Sequence, residues 1–144
     1  MNAPPLLVAR AGGERYGLDI AAVREVVPVG EVTPVPSRSL AVRGVMPLRE
    51  RYLSLFSLEA LLTGRMPLRG QAGAAVVVAL GGTELALEVD EVEAVVEGGG
   101  AFIAGEGVGG IAARGVCRCG ESLVTVLDSA QLAERVVAFV ERVP

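Results

Sequence analysis

The chain has 144 residues, of which 51% are apolar and 21% charged, and its formal net charge is −4. That length fits one compact domain, or two small subdomains sharing a core, and so apolar a composition rules against disorder. Histidine and tryptophan are absent, aromatics are only 3%, and every basic residue is arginine; the commonest general base and metal ligand are missing, and nothing offers the stacking platforms that nucleic-acid binding uses.

The opening Met1-Asn2-Ala3-Pro4-Pro5 has no charged segment leading into a long apolar one, so no secretory leader is expected. The longest aliphatic run, from Ala74 to Leu80, falls far short of the ~20 residues that span a bilayer. A cytoplasmic protein with no direct membrane insertion is expected, and its Cys117 and Cys119 should be reduced thiols. Strands are predicted over 6–10, 15–20 and 23–27, the first two separated by Gly12-Gly13. Pro34-Val35-Pro36 cannot donate into a central ladder and marks a connection or an edge. Strands over 42–46 and 51–56 follow, then a short helical turn from Ser57 to Leu62 that stops at Gly64.

Residues 65–73 read as a connecting segment, after which the pattern recurs. Strands are predicted over 74–80, 83–89, 92–96, 111–119 and 122–127. Residues 97–110, with Gly98-Gly99-Gly100 and Gly109-Gly110, read as a mobile surface loop, because a phosphate cradle would need a following lysine or helix start. After Asp128, a plausible N-cap, Leu132, Val136, Val140 and Val143 recur at helical spacing with Glu134, Arg135, Glu141 and Arg142 opposite. This C-terminal helix, assigned to 133–144, should pack on its own protein.

The recurrence is an internal repeat. At an offset of 69, Val8-Ala9-Arg10-Ala11-Gly12-Gly13 lies over Val77-Val78-Ala79-Leu80-Gly81-Gly82 without a gap, and Val23 lies over Val92. At an offset of 71, Gly44-Val45 lies over Gly115-Val116, Glu50 over Glu121, and Leu53-Ser54-Leu55-Phe56-Ser57 over Val124-Thr125-Val126-Leu127-Asp128. Two gapless segments in one order establish a duplication. Each unit of about five strands suggests a small barrel, the first over 6–64 and the second over 74–132.

Few residues carry chemistry. Cys117-Arg118-Cys119 puts two sulfurs on one strand face, but structural zinc wants about four ligands, so two small buried hydrophobes is the preferred reading. Asp19 and Glu88 hold equivalent positions in the repeat, which points to a shared structural role rather than acid–base work. Arg49 reads either as a surface ion pair or as a fixed fork of donors for a partner. With no histidine and no nucleophile motif, no enzyme, cofactor or metal is expected.

The run Glu14-Arg15-Tyr16-Gly17-Leu18-Asp19-Ile20-Ala21-Ala22-Val23-Arg24-Glu25-Val26 resembles the opening of CheW-like domains. The resemblance continues through Val32-Thr33-Pro34-Val35-Pro36 and Val42-Arg43-Gly44-Val45, and resumes at Glu88-Val89-Asp90-Glu91-Val92. It implies a mainly all-β fold of two packed five-stranded SH3-like β-barrels with short helices, the longest at the C-terminus. It also implies a non-enzymatic scaffold coupling chemoreceptors to a CheA-type histidine kinase. The expected partners are the kinase regulatory domain and the receptor's cytoplasmic tip, the latter in the groove between barrels. Carried over position by position, the partner-binding residues are Val23, Glu25, Gly44, Arg49, Val89 and Asp90. The alternative is a divergent module that self-associates or caps an assembly without receptor coupling.

The family's Gly-Val-Ile-Asn-Leu-Arg-Gly motif reads Gly44-Val45-Met46-Pro47-Leu48-Arg49-Glu50 here. Pro47 removes a backbone donor, and Glu50 replaces a glycine that reaches positive φ cheaply, so the turn must differ. One reading of the altered turn has Glu50 neutralising Arg49.

Overall fold

The computed structural model describes residues 5–36, 39–65, 73–97, 102–104 and 113–140. The chain runs through β1 (Leu6–Ala11), β2 (Glu14–Asp19), β3 (Val23–Pro28), β4 (Val42–Leu48), β5 (Arg51–Ser57), α1 (Leu58–Thr63), β6 (Ala74–Leu80) and β7 (Thr83–Val89). It continues through β8 (Glu91–Val96), β9 (Phe102–Ala104), β10 (Ala113–Cys119), β11 (Ser122–Leu127) and α2 (Ser129–Val140). The expected all-β character holds, and the C-terminal helix is the longest. Among the described residues no helix is long and apolar enough to cross a membrane. Residues 1–4 of the expected opening segment, 66–72 of the connecting segment expected over 65–73, most of 97–110, Ile111 and the expected helix end over 141–144 lie outside the described residues.

Two sheets form, in the orders β8-β1-β2-β11-β10-β9 and β3-β6-β7-β5-β4. The contiguous division into barrels over 6–64 and 74–132 is therefore corrected. Each sheet takes its first two strands in repeat order from one copy and the remainder from the other. The reason lies in the connections. Gly12-Gly13 and Gly81-Gly82 both have positive φ and turn β1 into β2 and β6 into β7 as tight hairpins. Between β2 and β3 the chain has Ile20-Ala21-Ala22 in a 3-10 turn capped by the Asp19 carboxylate, which accepts from Ala21 N. No glycine is there to reverse the strand, so the chain runs forward into the second sheet. The equivalent step at Asp90 carries β7 into β8 and back to the first.

The duplication survives in detail. Both β3 and β8 bulge, skipping Arg24 and Glu93, which are equivalent at the offset of 69. Both β4 and β10 shift register just before Gly44 and Gly115. The bridge Thr33↔Val45 at one sheet edge corresponds to Ile103↔Val116 at the other. In the first sheet that bridge grows into β9, a sixth strand inside the segment expected to be only loop. Ser57 and Asp128, also equivalent, cap α1 and α2 by accepting from Ala60 N at 3.2 Å and Gln131 N at 3.0 Å. The Asp128 cap starts α2 at Ser129, four residues before the expected 133.

The core is shared between sheets. Leu7, Ala9, Ala11, Tyr16 and Leu18 meet Val76, Val78, Leu80, Leu85 and Leu87, with Leu58 and Leu61 of α1 and Leu132 and Val136 of α2 closing the cluster. The other faces of β1 and β6 look into their own sheets: Leu6 packs with Cys117 and Val126, and Ala75 with Met46, Leu55 and Ala86. A strand buried on both faces must be apolar at every step, which is why 74–80 reads as an unbroken run rather than an alternation. Asp19 and Glu88 do not share a role as expected. Asp19 caps its local turn, whereas the longer Glu88 reaches across β5 to Arg43 Nε at 2.7 Å.

Candidate partner-binding surfaces

The six residues singled out from the sequence fall into three places. Glu25 on β3 and Arg49 at the β4–β5 turn come together, Arg49 Nη1 donating to Glu25 Oε2 at 3.0 Å. Strands β3 and β4 are opposite ends of the five-stranded order, so the sheet curls until its edges are bridged by this pair. The Arg49 side chain is 67% exposed and that of Glu25 27%. The neutralising carboxylate is thus Glu25, not Glu50. Val23 lies two residues before Glu25, half-buried against the shared core.

Gly44 sits where Thr33 crosses β4, Thr33 N donating to Val45 O at 2.8 Å and Val45 N to Thr33 O at 2.9 Å. A Cβ on Gly44 would lie 2.2 Å from the Thr33 carbonyl oxygen, and its φ is +140°. Val89 is buried in the shared core. Asp90 lies at the second crossover, its Oδ2 accepting from Gly12 N at 2.9 Å and its own N–H donating to Arg10 O at 2.8 Å. Gly44, Val89 and Asp90 therefore hold backbone, core and crossover, away from the Glu25–Arg49 corner.

The altered turn differs as anticipated, but the positive φ falls on Arg49, at +57°, not on Glu50. Leu48 pairs with Arg51, so Arg49-Glu50 is a two-residue hairpin loop with positive φ at its first position alone. The equivalent β10–β11 loop is Gly120-Glu121, with Gly120 at φ +63°. The offset of 71 sets Arg49 over Gly120, and that alignment is the signal that locates the strained position. An L-residue in the left-handed region costs roughly 1–2 kcal/mol. Arg49→Gly removes that strain, gives up an exposed ion pair of about 0–1 kcal/mol and adds glycine's chain entropy of about 0.5–1 kcal/mol. Urea unfolding of Arg49→Gly is expected to give a small gain, up to about 0.5 kcal/mol, beside an Arg49→Ala control that keeps the strain and gains nothing.

A second surface was not singled out from the sequence. On the outer face of the first sheet, Ile103 (75% exposed) stands opposite Val116 (38% exposed), with Leu123 (62% exposed) diagonal to Val116 on β11. Arg114 and Arg118, exposed on the same face of β10, flank this apolar strip. Its signal was the alternation Arg114, Val116, Arg118 between inward Gly115 and Cys117. Behind it, Cys117 and Cys119 lie on the inward face as expected, their sulfurs 3.8 Å apart, Cys117 buried and Cys119 half-buried. Burial, then the hydrogen bond with Cys117, pushes the Cys119 thiol up from its ordinary value. Among the described residues no cluster of three or more histidine, cysteine or acidic side chains could hold a metal ion.

A CheW-like domain matches residues 5–137 of the chain. A chemotaxis protein CheW of Treponema pallidum (strain Nichols) is 36% identical over 53 residues, a stretch covering 37% of this chain and 31% of that protein. The match thus spans about a third of the curated relative's length. The crystal structure of the scaffolding protein TtCheW from Thermoanaerobacter tengcongensis superposes with a TM-score of 0.76 at 22% identity, covering 90% of this chain and 91% of that one. That likeness carries the fold.

Proposed function

We propose that this chain, which belongs to the CheW-like domain family, is a cytoplasmic adaptor coupling chemoreceptors to a CheA-type histidine kinase. CheW-like scaffolds are non-enzymatic, so its work is to hold partners. The observation that carries the reading is Arg49: an exposed arginine kept at φ +57° where the other copy of the repeat has glycine. Strain held at an exposed turn with no gain in packing points to a use for that side chain. Here the use is a planar set of donors offered to a receptor's helical tip, with Glu25 fixing its direction and Val23 beside it.

The apolar strip of Ile103, Val116 and Leu123 supports a second, kinase-facing surface. Exposed aliphatics grouped on one sheet face and rimmed by arginine suit a docking patch rather than a solvated one. Calorimetric titration with the kinase regulatory domain is expected to give a micromolar Kd, weakened about tenfold by Leu123→Glu, roughly 1.4 kcal/mol. A silent titration across that range overturns kinase coupling. One observation favours the self-associating alternative: Tyr52, equivalent to Leu123 on the other sheet, is also exposed, so both ends of the molecule present apolar side chains. Mass rising with concentration in light scattering, with no kinase binding, would establish that alternative.

A further inference from the structure

We infer that Cys117 and Cys119 form a two-sulfur binding site for a soft monovalent cation of the copper(I) class. The repeat supplies the comparison. At the positions equivalent to Cys117 and Cys119, the second sheet carries Met46 and Leu48, both buried and filling its interior. At the positions equivalent to Glu25 and Arg49, the first sheet carries Ala94 and Gly120. The ion pair that bridges the second sheet's edges therefore has no counterpart in the first, and the large apolar fillers are replaced by small thiols. An open cleft of about 500 Å³ lies at the first sheet's mouth, where Cys117, Cys119, Gly120 and Val124 meet Arg15, Glu93 and Glu97.

The sulfur geometry suits one ion. The Cys119 thiol donates to Cys117 Sγ at 3.8 Å, and the Cys117 thiol to the Arg118 carbonyl at 3.7 Å. With metal–sulfur bonds of about 2.3 Å, two sulfurs flanking an ion lie at most ~4.6 Å apart. Moving from 3.8 Å to that limit asks ~0.8 Å of Cys119, which ends its strand beside Gly120 and faces the cleft. Zinc is disfavoured because it wants about four ligands, and among the described residues no histidine, carboxylate or further cysteine joins the two thiols to make a cluster of three. Soft thiolates select copper(I), for which two donors suffice. Binding breaks both S–H bonds, forms two metal–sulfur bonds and releases two protons to solvent, with no electron transferred. The bound group carries a net charge of −1, and the Arg15–Glu93 ion pair lines the same space.

The test is anaerobic titration of the reduced protein with copper(I) against a chromophoric copper(I) chelator, repeated with silver(I) and read by native mass spectrometry. One ion per chain is expected, with ultraviolet thiolate-to-metal absorption. Cys119→Ser should weaken binding by about 10²-fold or more, since the second thiolate no longer closes an intramolecular chelate. Cys117 is buried in the core, so Cys119→Ser is the informative variant, and its thermal melt checks that it folds. Wild type holding copper(I) no more tightly than a folded Cys119→Ser, or holding zinc as tightly as copper(I), overturns the proposal.

Discussion

Gly44→Ala is expected to lose about 3–5 kcal/mol of stability, enough to bring a domain of this size near its unfolding threshold. Two costs add. The new Cβ would sit 2.2 Å from the Thr33 carbonyl oxygen, and that oxygen is backbone, held by the Thr33–Val45 bridge. Relief requires the strand edge to move, which breaks two hydrogen bonds at β4. The residue must also hold φ +140°, where an L-residue is strained. Gly13→Ala is the control: its φ is +85°, but a Cβ there meets nothing within 4 Å, so only the roughly 1–2 kcal/mol of conformational strain remains. In urea unfolding, Gly44→Ala should fall well below Gly13→Ala. Equal losses would show that the Thr33 contact is not what demands glycine. A large loss also means that impaired partner binding in Gly44→Ala reports unfolding.

The duplication was legible because two gapless alignments share one order, and the symmetric bulges at Arg24 and Glu93 are its structural form. Strand exchange was not legible. An offset alignment says which segments are equivalent, but not which sheet each enters. That choice rests on three residues, Ile20-Ala21-Ala22, whose want of a turn-forming glycine is a weak signal among so many apolar positions. The sixth strand was hidden because β9 is three residues long and set among glycines. The candidate site was legible in part for a similar reason. Glu25 and Arg49 were each singled out, but their pairing depends on the curl that brings opposite sheet edges together. Gly44, Val89 and Asp90 carry motif positions that the fold itself uses: close approach to Thr33, core burial and crossover.

Arg49→Ala is expected to weaken binding to the receptor's helical tip by roughly 1–3 kcal/mol, the range for losing a charged hydrogen bond at an interface. That corresponds to about five- to 150-fold in Kd. Stability should stay within about 0.5 kcal/mol, because the side chain is exposed and the backbone strain is unchanged. Arg49→Glu should do more harm. It sets a second carboxylate where Arg49 Nη1 now lies 3.0 Å from Glu25, so the two repel and the turn offers an acidic tip negative charge instead of donors. A loss beyond 100-fold is expected, about 2.7 kcal/mol. Glu25→Gln separates direction from charge: it keeps an acceptor for Arg49 while removing the ion pair, and should fall between wild type and Arg49→Ala. The exchange Glu25→Arg with Arg49→Glu completes a double-mutant cycle. If the pair served only to hold β3 to the β4–β5 turn, the exchanged pair would restore binding; if Arg49 itself meets the partner, binding stays lost although the edges are bridged again. Unchanged receptor binding in both Arg49→Ala and Arg49→Glu would remove this corner from the interface and leave the Ile103–Val116–Leu123 face as the candidate surface.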